Sequence, residues 1–165
     1  MFIQTDVIPF MKNYNCHAWR VKYLWNEECD EVLKTRMDIV QGLYKKFYRQ
    51  YRNLAGQNVR AMLVDDFLEL FGGSGLMSEQ CAPRDISVCF NLAMMTQVNE
   101  LESERHTLMN FAEFTEAICR VADKVIGVEG SPQLDQKIEH MLLRLKEAYG
   151  LEDKRAKKTA TMSRN

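Results

Sequence analysis

Apolar residues recur at steps of three and four along most of the chain, which is the spacing of amphipathic helices. Lys and Arg residues fill the positions between them within residues 29–54, and Gly56 follows closely behind, as at many helix ends. The pattern therefore predicts one long helix over residues 29–54. Its apolar stripe consists of Leu33, Met37, Val40, Leu43, Tyr44, Phe47, Tyr51 and Leu54.

A short helix and a longer one are predicted next. The apolar residues 62–64 lead into Asp65, whose side chain can cap a short helix that ends at residues 72–75, Gly-Gly-Ser-Gly. Pro83 suits the first turn of the following helix, because its missing N–H would have no partner there. The stripe of that helix consists of Ile86, Cys89, Phe90, Ala93, Met94 and Val98.

Two more helices are predicted in the second half of the chain. Asn110 and Glu113 have the spacing of a capping box, in which each side chain binds the main-chain N–H of the other residue. The helix that they begin has its buried face at Phe111, Phe114, Ile118, Val121 and Val125. A last helix follows Pro132 and ends at Gly150. Its stripe consists of Leu134, Ile138, Met141, Leu142, Leu145 and Tyr149.

The chain is thus predicted to be all-α, with an internal repeat. Helix, two-residue apolar link and helix occur in residues 29–71 and again in residues 84–126. The only strand candidates are residues 62–64 and 108–110. We divide the sequence into an N-terminal flanking segment (1–28), a repeat unit (29–126), a C-terminal helix (131–150) and a basic flexible tail (151–165).

Composition narrows the possible functions. The chain has 165 residues, 46% of them apolar, and a formal net charge of −1. This suits one globular domain and gives no reason to expect the whole chain to bind nucleic acid or a membrane surface. No apolar run is long enough to span a bilayer, and the N-terminus lacks the basic stretch of a signal peptide. We therefore expect a cytoplasmic protein.

The reactive residues do not form a recognisable catalytic or metal site. The five cysteines are irregularly spaced and contain no C-x-x-C pair, so neither a zinc site nor a disulfide framework is predicted. Reduced, mostly buried thiols are expected instead. Adjacent Cys16 and His17 rarely point at one another, and Glu100, Glu102 and Glu104 have the alternation of a solvated loop before a helix. We predict no enzyme and no cofactor.

Residues 108–114, Leu-Met-Asn-Phe-Ala-Glu-Phe, resemble the second half of an EF-hand. Residues 62–67 have the same form, with Asp66 in the place of the terminal Glu. The resemblance covers roughly residues 29–126 and implies an EF-hand-like helix–loop–helix pair with flanking N- and C-terminal helices. It also implies that Met62 and Met109 pair as a miniature two-stranded sheet, because the two loops of an EF-hand pair do so.

The calcium chemistry of that family does not follow from these residues. A calcium loop offers six to eight hard oxygens and a glycine at its bend. The second loop has Glu102, Glu104 and Glu113 but places His106 and Thr107 where an oxygen ligand and the glycine belong. The first loop has Ala55, Gln57 and Val59 where carboxylates belong, and Arg60 stands in place of the glycine. A degenerate, calcium-independent pair is therefore predicted, with a calcium-responsive sensor binding at Glu102–Glu113 as the alternative.

The remaining prediction concerns partners. Residues 89–98 and 111–123 resemble EF-hand-derived modules in large proteins of ciliated and flagellated protists, which implies a cytoskeletal setting such as an axoneme. We expect a structural interaction module that holds a helix of a larger protein, or tubulin through its basic tail. Trp19 and Trp25 either cap the core or anchor the partner, and Met94 and Met95 either line a partner groove or fill the core.

Overall fold

The computed structural model describes residues 16–53, 55–78, 81–94, 107–126 and 133–151, and all structural statements below concern these residues. They form a mostly helical fold, as predicted, with a small two-stranded sheet added. The helices are α1 (Cys16–Trp19), α2 (Glu27–Thr35), α3 (Met37–Phe47), α4 (Val64–Gly73), α5 (Pro83–Met94), α6 (Phe111–Val125) and α7 (Leu134–Tyr149). A π-helical turn, Arg20–Leu24, follows α1, and the strands are β1 (Arg49–Arg52) and β2 (Asn58–Ala61).

The long helix predicted over residues 29–54 is wrong in its bounds. The chain leaves helical geometry at Arg36, which separates α2 from α3 and whose N–H donates to the carbonyl of Val32. The guanidinium of Arg36 pairs with Glu139 on α7 at 2.7 Å, so a tertiary contact lies at the break. Neither Gly nor Pro marks this point, which is why the apolar pattern gives no sign of it.

The end of the predicted long helix forms a β-hairpin instead, a strand pair that the sequence pattern missed. α3 ends at Phe47, and β1 pairs antiparallel with β2 so that Tyr51 lies opposite Val59. Gly56 turns the chain between them with a φ of 78°, a conformation that glycine adopts without strain. Tyr and Val are favoured in strands, and the four-residue step from Phe47 to Tyr51 only coincidentally continues the helical stripe.

The predicted pairing of Met62 with Met109 is confirmed. The two residues form an isolated antiparallel bridge in which each N–H donates to the other's carbonyl at 3.0 Å. Both side chains are fully buried, and the Tyr44 hydroxyl donates to the Met109 carbonyl at 3.2 Å. The bridge therefore joins the two halves of the repeat at the centre of the core.

The N-terminal cap of α4 differs from the prediction, whereas that of α6 agrees with it. Asp65 does not cap α4, because the cap position is Leu63 and its N–H donates to the carboxylate of Asp66 at 3.0 Å. The capping box of α6 is confirmed: Asn110 and Glu113 exchange side-chain-to-backbone hydrogen bonds, both at 2.9 Å. The sequence does not distinguish Asp65 from Asp66 here, because either acid lies close to the free N–H groups of the first turn.

The core is formed by residues of the repeat unit together with residues of α7. Phe67 packs against Phe71, Phe90 and Phe114 with ring centroids 5.0 to 6.1 Å apart, which links α4, α5 and α6. α7 closes the core by packing against α2, α3 and α6. Its buried residues agree with the predicted stripe and are Leu134, Ile138, Met141, Leu142 and Leu145.

The other helix ends agree with the sequence signals. α5 begins at Pro83, and α7 ends at Gly150, which has a φ of 59°. None of the described helices is long and apolar enough to cross a membrane. Met95, Glu100, Glu102, Glu104, residues 1–15 and the tail beyond Leu151 lie outside the described residues.

Candidate interaction surface

The segment formed by α1 and the π-helical turn is held against α6 by Trp19. The indole N–H of Trp19 donates to Asp123 at 3.1 Å, and the guanidinium of Arg120 lies 4.1 Å from the centre of the indole ring. A cation at this distance over an indole face is attracted by the negative face of the ring. Of the two alternatives for Trp19, the structure thus favours an internal packing role.

A largely buried ion network reinforces the same contact. Glu116 on α6 accepts from Arg20 at 2.7 Å and from Arg120 at 2.8 Å. The three side chains are largely buried: the exposed fraction is 13% for Arg20, 15% for Glu116 and 6% for Arg120. Removing Glu116 would leave two guanidinium groups without their shared carboxylate, and breaking such a buried pair is strongly destabilising. The ion network therefore fixes the N-terminal segment against α6.

Asp123 extends this network to α7. Its carboxylate accepts from the Lys137 ammonium at 2.9 Å as well as from Trp19, so one residue of α6 contacts both flanking elements. The N-terminal segment, α6 and α7 are thereby tied together at one point.

Within the π-helical turn and directly after it, the chain exposes large apolar side chains. Trp25 is 59% exposed, Val21 56% and Tyr23 42%. Leu143 on α7, at 40%, is the other large apolar side chain found exposed among the described residues. Single exposed apolar residues are ordinary, but three of them lie within five positions here.

An open groove of about 730 Å³ begins beside Trp25. One wall is the stretch from Leu24 to Leu33, and the other is the first half of α6. Leu24, Leu33 and Cys119 give it an apolar floor. The lining residues are Leu24, Trp25, Asn26, Glu27, Asp30, Leu33, Ala112, Thr115, Glu116 and Cys119.

The charged residues that line this groove are all acidic. Glu27 and Asp30 project from the exposed side of α2 at its rim, and Glu116 lies deeper beside its two arginines. Asp30 also pairs with Lys34 one turn along α2, where both side chains are more than half exposed. Water screens such exposed pairs and makes them weak, so a second cation can compete for Asp30.

Of the other two predicted partner residues, Met94 does not line this groove. Met94 is 4% exposed and packs in the core, which favours the core-filling alternative for that residue, and Met95 lies outside the described residues. Sequence reasoning named Trp25 but missed the groove walls. The signal available for them was the acidic run around Glu27, which is equally explained by favourable charge at a helix N-terminus.

The carboxylate of Asp66, which the EF-hand resemblance aligns with the last calcium ligand of the first loop, already has charged and polar partners. The carboxylate of Asp66 is buried, pairs with Arg49 at 2.7 Å and accepts from the Tyr51 hydroxyl at 2.8 Å. Arg49 also reaches Glu69 at 3.2 Å. Burial and the hydrogen bond to Asp66 raise the pKa of Tyr51 to about 12. The hairpin therefore places a guanidinium against the carboxylate of Asp66.

No described group of three or more His, Cys, Asp or Glu side chains is arranged to hold a metal ion. In the second half of the repeat, Glu113 is 7% exposed and uses one carboxylate oxygen to cap α6. The proposed ligands Glu102 and Glu104 lie outside the described residues.

The expected burial of the thiols is confirmed for the four cysteines whose side chains are described. Cys29, Cys81, Cys89 and Cys119 are buried and unlinked. Burial raises the pKa of the Cys89 thiol to about 11 and that of Cys119 above its ordinary value. Since the thiolate is the nucleophile, these groups are unreactive in the folded state.

Comparison of the chain with protein-family models, with curated proteins and with solved structures finds no match.

Proposed function

We propose that the chain is a non-enzymatic, calcium-independent protein-interaction module built on an EF-hand-like pair of helix–loop–helix units. The observation that carries the interaction role is the open groove beside the exposed side chain of Trp25. An apolar floor, an exposed aromatic residue and a charged rim are the parts that protein interfaces combine.

The EF-hand-like part of the proposal is supported by a repeated local arrangement. Met62 and Met109 bridge the two halves, and an acidic residue follows each of them after four positions. Those acids, Asp66 and Glu113, are both buried and each accepts the N–H of its helix cap residue. Two segments thus meet through the same backbone contact and begin the next helix in the same way.

Calcium independence is supported by the contacts of Asp66. A divalent cation at this carboxylate would have to displace the Arg49 guanidinium and would find the Tyr51 hydroxyl in place of further carboxylates. Calcium sites need six to eight oxygens, mostly from charged or carbonyl groups. The surroundings of Asp66 therefore disfavour the calcium-sensor alternative for the first half of the repeat.

The cytoskeletal or axonemal setting remains part of the proposal and is based on the sequence resemblance of residues 89–98 and 111–123. A contact with tubulin would belong to the basic tail, residues 151–165, because the groove rim is acidic and would repel an acidic partner. A helix of a larger protein is the partner that we assign to the groove side of the molecule.

Calorimetry and thermal melting in the presence of calcium test the first half of this proposal. Titration with sub-millimolar calcium, in a magnesium background, should produce no saturable heat and no shift in melting temperature. A ligand present at a hundredfold its Kd would stabilise the folded state by about 2.7 kcal/mol, which melting detects easily. Saturable binding with a Kd near or below about 10 micromolar, in the range of calcium sensors, would establish the sensor instead.

Affinity purification from the source cell tests the second half. The same protein should co-purify at a fixed stoichiometry whether calcium or a chelator is present. A partner that appears only with calcium would contradict calcium independence, and the lack of any stoichiometric partner would contradict the interaction role.

A further inference from the structure

We infer that the groove between residues 24–33 and α6 binds a short amphipathic segment of a partner protein, one that combines a large apolar side chain with Lys or Arg residues. This inference rests on the proposed interaction function and names the chemistry of the partner. It concerns a surface between residues 24–33 and α6, of which only Ala112 belongs to the EF-hand-like segments 62–67 and 108–114.

The backbone at one end of the groove is unusual in a way that suits binding. Residues Arg20–Leu24 form a π-helical turn, in which the N–H of Trp25 donates to the carbonyl of Arg20 at 2.7 Å. π-helical turns are rare and occur frequently at functional sites. The turn leaves Leu24 half-buried on the groove floor while Trp25 remains exposed at the rim.

The dimensions of the groove suit a peptide segment. Its α6 wall runs from Ala112 to Cys119, which corresponds to about 10 Å along a helix at 1.5 Å per residue. A wall of this length matches about two helical turns of a partner. The volume of about 730 Å³ falls within the usual range of ligand sites, so the floor can accept large apolar side chains.

The charge of the rim specifies the partner further. Glu27 and Asp30 are the exposed acidic residues of α2 that line the groove, and the described basic contact there is the solvent-exposed Lys34 on Asp30. A nucleic acid or an anionic membrane would be repelled here, whereas Lys or Arg side chains would gain ion pairs with Glu27 and Asp30. An incoming Arg or Lys can also stack on the exposed indole of Trp25.

Fluorescence anisotropy with synthetic peptides tests this inference directly. The probe is a labelled helical peptide of about 14 residues, roughly 21 Å long, with Leu on one face and Lys on the other. Two matched probes replace every Lys by Glu or scramble the order so that the apolar face is lost. The Leu/Lys peptide should bind, and both matched probes should bind at least about tenfold more weakly.

Variants of the protein locate the binding site. Trp25→Ala and the charge reversal Glu27→Lys with Asp30→Lys should each weaken the Leu/Lys peptide by about tenfold or more, as at an interface hot spot. Leu143→Ala and Glu147→Lys, which change an exposed apolar and an exposed acidic residue on α7, are the matched controls and should stay within about twofold. Ala112→Trp fills the groove from its α6 wall and provides a second test should Trp25→Ala melt abnormally.

Several outcomes would overturn the inference. They are equal binding to the Trp25→Ala and control variants, equal binding of the Glu peptide, and no binding of the Leu/Lys peptide at millimolar concentration. Its failure is distinguishable from failure of the proposed function. A partner that still co-purifies with Trp25→Ala would contradict the groove assignment alone, whereas a calcium-induced shift in melting temperature would contradict calcium independence and leave the peptide result standing.

Discussion

Asp66 has the position of a calcium ligand in the EF-hand resemblance, but its carboxylate is contacted by Arg49 and Tyr51 of the hairpin. Asp66 keeps its structural role at the start of α4, yet its remaining charge is directed at residues that precede it in the chain. Neither partner is recognisable from sequence spacing alone, because both come from a hairpin that the apolar pattern assigned to a helix. Whether another cation can bind Asp66 is therefore decided by the individual residues that already contact its carboxylate.

The pH dependence of stability tests this contact. The pKa of Tyr51 is about 12 in the folded protein and near 10 in the unfolded chain, so the unfolded state loses this proton first. The stabilising effect is complete below pH 10 and is lost as the pH rises towards 12. Chemical denaturation across that interval should show a decline in unfolding free energy that is shallower in Tyr51→Phe. Identical slopes for the two proteins would contradict the assignment.

At the scale of elements, amphipathic stripes predicted most helices because burial against one core imposes the helical period on the sequence. The stripes of α5, α6 and α7 are the clearest cases, since most of their predicted residues are buried where the structure describes them. The exceptions are Phe111, Val125 and Tyr149, which are partly buried against the core. The hairpin and the break at Arg36 could not be predicted in this way. They depend on partners distant in sequence, Asp66 for the hairpin and Glu139 for the break.

Two neighbouring leucines on α7 allow a matched test of how that helix closes the core. Leu142 is fully buried, whereas Leu143 is 40% exposed. Leu142→Ala should lower the free energy of unfolding by about 2–5 kcal/mol, because it removes buried methyl groups and leaves a cavity. Leu143→Ala should change it by less than about 0.5 kcal/mol. Similar values for both variants, measured by denaturant unfolding, would show that α7 does not pack as described.

The candidate surface was predictable only in part, because it also depends on contacts between residues distant in sequence. Trp25 stands out in the sequence as a large aromatic residue outside the repeat. The groove beside it exists because Trp19, Arg20 and Glu116 fix the flanking segment on α6, and residues about a hundred positions apart give no periodic signal. Methionine is a residue type that often lines partner-binding grooves, but Met94 packs in the core.

At the scale of the whole molecule, the described helices share one continuous core that runs from α2 to α7. The four buried cysteines sample different parts of it, since Cys29 lies on α2, Cys81 just before α5, Cys89 on α5 and Cys119 on α6. A core of this kind is expected to unfold cooperatively, as small domains usually do.

Thiol labelling in a Cys16→Ser variant checks that cooperativity. At neutral pH the four thiols should react together, so that mass spectra taken during labelling show unmodified and fully modified protein with few intermediates. The physical reason is that each thiol is buried in the same core and becomes accessible only when that core opens. Early modification of Cys29 alone would show that α2 opens independently of the rest.

The two tryptophans have one more consequence, which is spectroscopic. Trp19 is half-buried under a guanidinium and donates its indole N–H to Asp123, whereas Trp25, six positions later, faces solvent. Their emission should therefore differ in wavelength and in sensitivity to soluble quenchers. The chain thus contains two intrinsic reporters: one senses whether the flanking segment stays attached to α6, and the other senses whether the rim of the groove is covered.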